Sequence, residues 1–267
     1  MALYDLIQSP RLWNDPDVFL PLLKEEDFIS AQLLNSESTD ADAVQMLESA
    51  FHASRVTHEN PEWAKSGHVE IRDALVEANK DFSSLEATVY FYEMKDSHEH
   101  AIRETYGVHG TASSNIILVS QHPTAFIPGK LKKCVLHEFN HLARLKHFSF
   151  FKNGTFLDWM IMEGLAETYV HEKYPNEATP PWTHPLDEAE MGIWLSRLKE
   201  LWLQKRDSIE GPDEWFFGSE RMKPTGTKGV PKWLGYKLGF MIVQAFRKRH
   251  SALKWSELIA VPSESFL

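Results

Sequence analysis

The stretch LKKCVLHEFNHLARL, residues 131–145, decides how this chain is read. It contains His137, Glu138 and His141 as an HExxH sequence within a segment of helical periodicity. Positions i and i+4 of a helix project from one face a turn apart, so both imidazoles can reach a single ion. At about 100° per residue, Glu138 falls in the same third of the circumference and can face a water on the metal without displacing either histidine. Leu131, Val135, Phe139 and Leu142 occupy the opposite arc. The expected helix is apolar behind and metal-facing in front.

A five-residue match is weak evidence in a chain with 13 His, so the reading needs a third ligand. The next helical segment, 158–174, supplies one in Met162-Glu163-Gly164-Leu165-Ala166-Glu167, 21 residues beyond His141. Hydrolytic zinc usually takes three protein ligands and keeps a fourth position for water, which a set of His137, His141 and Glu163 satisfies. Glu167 lies one turn after Glu163, where it can accept a hydrogen bond from the far ring nitrogen of a ligand histidine. Gly164 is read as letting the two helices approach closely. The alternative for both glutamates is an exposed acidic stripe. Trp159, Met160, Ile161, Met162, Leu165, Tyr169 and Val170 argue instead for a buried helix, in which carboxylates need partners.

Working outward, the chain has no internal repeat and no low-complexity segment, and the fold class expected is α+β, helix-dominated in its second half. Leu20, Leu22 and Leu23 precede a charged break, and helices are expected near 39–58 and 63–79. Strands are expected at 87–94 and 115–121, both rich in β-branched and aromatic residues, with a Gly-containing loop at 107–110 before the second. Helical patterns follow at 130–147, 155–174, 186–208 and 232–250, separated by Pro/Gly-rich stretches at 175–185 and 211–231. Residues 1–82 are read as a helical region packed on a catalytic domain of 83–267, with a small sheet ahead of the HExxH helix.

The sequence resembles the YjaZ-like predicted Zn-dependent proteases, which are related in motif to the gluzincin metallopeptidases. The resemblance runs from about residue 105 and rests on Gly107 to Ser120, Val135 to His141, and Glu163-Gly164-Leu165-Ala166-Glu167. Phe217-Gly218 and the segment from Pro231 to Gly239 are similar to the family's closing helix. Residues 1–80 carry no matching motif. The resemblance implies a zincin-like fold with His137, His141 and Glu163 as zinc ligands and Glu138 as general base. Resemblance to gluzincins further implies that the strand before the active-site helix borders the cleft and pairs with extended substrate. Residues 110–117 are the candidates, among them Gly110, Ala112 and Asn115; an ordinary interior strand is the alternative. For the oxyanion a donor distant in sequence is sought, and Tyr236 is the first choice, against a packing role among Trp233, Leu234, Leu238, Phe240 and Met241.

Other residues attract less. His98 and His100 lack a complete ligand set and fit a polar loop. His171 is about 12 Å beyond Glu163 on a straight helix, too far to share one ion. Cys134, a turn before His137, reads as a small core residue. His109 is placed beside the expected edge strand without a fixed role.

Composition bounds the remainder. Hydrophobic residues at 43% and aromatics at 12% support a sizeable core without disulfides, so metal need not hold the fold together. A formal charge of -10 gives no broad attraction to phosphate backbones or anionic membranes, and neither nucleic acid nor membrane is an expected partner. The basic runs at Lys130, Lys132 and Lys133 and from Arg247 to His250 read as solvated helix faces. One cysteine, no basic-then-apolar leader at the start and no apolar run of about 18 residues make the cytoplasm the expected compartment. The expected activity is peptide-bond hydrolysis with zinc as cofactor and a peptide or protein as substrate. A zinc-containing peptide binder without activity and a helical interaction protein with an accidental HExxH are the other classes; an intact Glu138 counts against the first.

Overall fold

In the computed structural model, the described residues are 4–6, 61–83, 85, 87–94, 104–113, 116–122, 124, 127–148, 154–175, 180–221 and 228–267. The expected helix at 39–58 and the leucines at 20–23 lie outside them. The chain forms two compact units, Met1–Lys146 and His147–Leu267.

The first unit contains a four-stranded sheet in the order β1 (Tyr4–Leu6), β2 (Ala87–Glu93), β4 (Ile116–Gln121), β3 (Val108–Ser113). Strand β2 is parallel to both β1 and β4, and β3 is antiparallel to β4. Ile117, Leu118 and Val119 are consecutive and buried, as a central strand covered on both faces requires. The sheet corrects two expectations. Residues 108–110, expected in a loop, are the start of β3. The candidate edge stretch 110–117 is not one strand but the two arms of a hairpin, with Gly110 and Ala112 on edge strand β3 and Ile117 on interior strand β4. The β-branched, apolar run that marks β4 is missing from VHGTAS, where Gly, Ala and Ser have weak strand preference; pairing with β4 makes the strand.

Helix α1 (Pro61–Ala78) buries Ile71, Ala74, Leu75 and Ala78, an i, i+3, i+4, i+7 stripe. It packs against helix α2 (Lys130–Leu145), which carries the HExxH sequence. The start of α2 has no side-chain cap of its own, since Gly129 occupies that position. Glu70 of α1 supplies it: its carboxylate accepts from the Gly129 and Lys132 backbone N–H groups, both at 3.1 Å. Lys132 also pairs with Glu77 at 2.8 Å, so part of the basic run faces α1 rather than solvent alone.

In the second unit, helix α3 (Phe156–Lys173) is buried along nearly its whole length, from Phe156 to Tyr169 except for Asp158. Its start is a capping box in which Thr155 and Asp158 satisfy each other's backbone donors. Ser263, near the end of the chain, also donates to Asp158. A 3-10 turn, Pro181–Thr183, is followed by α4 (Glu188–Leu198), α5 (Pro212–Phe217), α6 (Leu234–Arg249) and α7 (Trp255–Leu258). The helix expected over 186–208 therefore ends at Leu198 and continues as turns. Helices α3 and α6 pack together. The molecule is α+β with helix predominant, and no described helix is long and apolar enough to cross a membrane.

Candidate metal centre

Within α2 the two motif histidines meet edge to face, with ring centroids 4.5 Å apart at 84°. His137 is half-buried and His141 buried. Glu138 is buried beside them, while Leu131, Val135, Phe139 and Leu142 are all at zero exposure, so the apolar rear face expected from sequence is present. This helix stays in place because its rear arc fills the core while its capped start is tied to α1.

Gly110 explains part of how Glu138 is held. A Cβ on Gly110 would sit 2.7 Å from Cys134 Sγ and 2.7 Å from both Cγ and Oε1 of Glu138. The edge strand therefore runs with its backbone directly against the proposed base, and a side chain at this position would push on Glu138 and Cys134. Ala112, two residues on, is buried on the same side of β3, whereas His109 is exposed. Asn115 lies outside the described residues, as do His98 and His100. Cys134 forms no disulfide and is half-buried. In this unit burial holds the His68 imidazole below its ordinary range, and burial with nearby Lys130 lowers the Lys133 ammonium.

Within α3, Glu163 and Glu167 are only 7% and 6% exposed, which removes the acidic-stripe alternative. Trp182, in the 3-10 turn, donates its indole N–H to Glu167 Oε1 at 2.8 Å. No sequence signal marks Trp182, which sits in a Pro-rich spacer without periodicity. The close neighbour of Gly164 is Gly239 of α6, into whose backbone any added Cβ would run, and Gly239 in turn lies against the Met160 carbonyl. This glycine pair sets the α3–α6 crossing.

Tyr236 is half-buried in an aromatic cluster, 5.3 Å from Phe216, 5.4 Å from Trp233 and 6.2 Å from Phe217 between ring centroids. Trp233, which precedes α6, has φ of 64°, in the left-handed region rarely adopted by a bulky side chain. His171 packs edge-on to Phe240 at 5.7 Å, in keeping with a role away from the ligands.

The family described as Predicted Zn-dependent protease (DUF2268) matches residues 68–267. The chain belongs to this family. The DUF2268 match begins in α1 and takes in β2 to β4, the HExxH helix and the whole second unit. The chain is 30% identical to YjaZ of Bacillus subtilis (strain 168) over 141 residues, 52% of this chain and 50% of that protein. It is 24% identical to YjfC of the same organism over 132 residues, 48% of this chain and 44% of that protein. The chain thus spans about half the length of these curated relatives. No solved structure matches.

Proposed function

We propose that this member of the DUF2268 family is a zinc metallopeptidase of the gluzincin type, with His137, His141 and Glu163 holding one Zn2+ and Glu138 acting as general base. The observation that carries the reading is the pairing of the two HExxH imidazoles, centroids 4.5 Å apart, on a helix whose intervening glutamate is buried beside them. The donor chemistry fits the ion: two imidazoles and one carboxylate are a set that zinc takes, and three protein ligands leave a position for substrate chemistry. When bound, zinc acts as a Lewis acid on the scissile carbonyl and makes water a nucleophile near neutral pH.

Glu138 takes the proton released as water adds to the peptide carbonyl, then delivers it to the amine that leaves when the C–N bond breaks. Burial keeps its carboxylate out of bulk water, and the Gly110 backbone limits its travel. Edge strand β3, with Gly110 and Ala112, is the place where an extended peptide would add by main-chain pairing, since among the described residues only β4 pairs with it. Tyr236 is proposed to donate to the developing oxyanion. A lone cysteine and the absence of a spanning helix among the described ones support a cytoplasmic setting.

The test uses Glu138→Gln, which keeps shape and loses the basic oxygen. Wild type and variant are incubated with a mixed peptide library, cleavage is followed by mass spectrometry, and bound zinc is measured in both. The expected result is about one zinc per chain in each and turnover lower by about 10²- to 10⁴-fold in the variant. Equal cleavage refutes the general-base role, and zinc retained after replacement of both His137 and His141 by Ala refutes the ligand set.

A further inference from the structure

We infer that Trp182 is a positioning residue for the metal centre: its indole N–H fixes the Glu167 carboxylate so that the remaining oxygen is presented in one orientation. The inference rests on the zinc reading above and deepens it, by naming a group outside the HExxH and Glu163 helices that the site depends on.

Four observations converge. Trp182 Nε1 lies 2.8 Å from Glu167 Oε1, a charge-assisted length. Glu167 is buried, and a buried carboxylate without well-directed donors is costly, so each bond to it has orienting force. The turn that carries Trp182 is stiff: Pro180 and Pro181 restrict the backbone, and the Thr183 backbone N–H and hydroxyl both donate to the Pro180 carbonyl at 2.9 Å. Finally, the indole ring is backed by Trp233, centroids 5.7 Å apart at 56°, and Trp233 in turn contacts Tyr236.

The chemistry of indole suits this task. It is a donor only, so it can neither bind the ion in place of a ligand nor accept the proton that an imidazole must give to Glu167. With Oε1 held by Trp182, Oε2 is the oxygen assigned to a ligand imidazole, the role proposed for Glu167. A rigid donor on one oxygen therefore lowers the number of carboxylate orientations that compete with metal binding. A Trp serving packing alone needs its ring and not its N–H.

Replacing Trp182 by Phe separates the two. Zinc affinity is measured by chelator competition in wild type, Trp182→Phe, Glu167→Ala and the double variant, with apo-protein melting followed in parallel. Supporting groups of this kind act on metal affinity by about 10- to 100-fold, and Trp182→Phe is expected at about 10-fold with little change in apo melting. In the Glu167→Ala background the same replacement is expected to change nothing further. An unchanged affinity in Trp182→Phe overturns the inference alone, as does a loss that persists undiminished without Glu167. Wild type that takes up no zinc overturns the metal reading and this inference with it. Should Trp182→Phe fold poorly, the indole N–H resonance of Trp182 in wild type is the second readout. It is expected to shift upon Glu167→Gln, and no shift overturns the inference.

Discussion

Helices α2 and α3 carry the proposed ligands by opposite means. Helix α2 is two-faced: one arc at zero exposure fills the core of the first unit, the other carries His137, Glu138 and His141, and its first turn depends on Glu70 from another helix. Helix α3 is apolar on almost every side and capped by its own residues, so its glutamates are surrounded by protein. A two-faced helix can be read from periodicity because water marks one side. A helix buried all round has no preferred face, and its orientation is set by where backbones can approach.

The sharpest way to break this comparison is at Gly239. Its Cβ would meet the Met160 backbone carbonyl, which cannot swing aside as a side chain can. Gly239→Ala is expected to destabilise the fold by about 3 kcal/mol, the upper end of overpacking effects. Chemical denaturation checks it, and a cost below about 1 kcal/mol would mean the α3–α6 crossing is looser than described.

Gly110→Ala makes the same test on α2, where the neighbours are ends of the Cys134 and Glu138 side chains and can yield. Stability should fall less than at Gly239, by about 1–2 kcal/mol. Displacement of Glu138 should lower turnover about 100-fold, because an ångström-scale misplacement of a reacting group carries that cost. Zinc content should stay unchanged. If activity survives while stability collapses, the strand supports the fold and not the base.

The smallest effect is expected at the start of α2. Removing the Glu70 carboxylate by Glu70→Ala leaves the Gly129 and Lys132 N–H groups without that acceptor, a loss of about 1 kcal/mol by analogy with helix caps. Urea unfolding would detect it. A cost equal to that of Gly239→Ala would erase the distinction between a helix held at its end and one held along its length.

How much was legible in advance differs along the same line. His137, Glu138 and His141 were readable because helical spacing places them together whatever surrounds the helix. Glu163 and Glu167 stood out as carboxylates in an apolar segment, which local sequence alone makes conspicuous. The start of strand β3 is hidden in the sequence because Gly107 and Gly110 bracket it and mark a loop, and Trp182 because its partner lies 15 residues away.

By itself, the sequence determined the HExxH face, the burial of the glutamate helix and the α+β class, since these follow from the pattern and density of apolar residues within successive elements. The tertiary structure alone decided that Gly110 lies against Glu138, that Gly164 meets Gly239, and that Trp182 reaches Glu167. These are contacts between elements, fixed by how closely backbones pack and not by any local preference of the residues that make them.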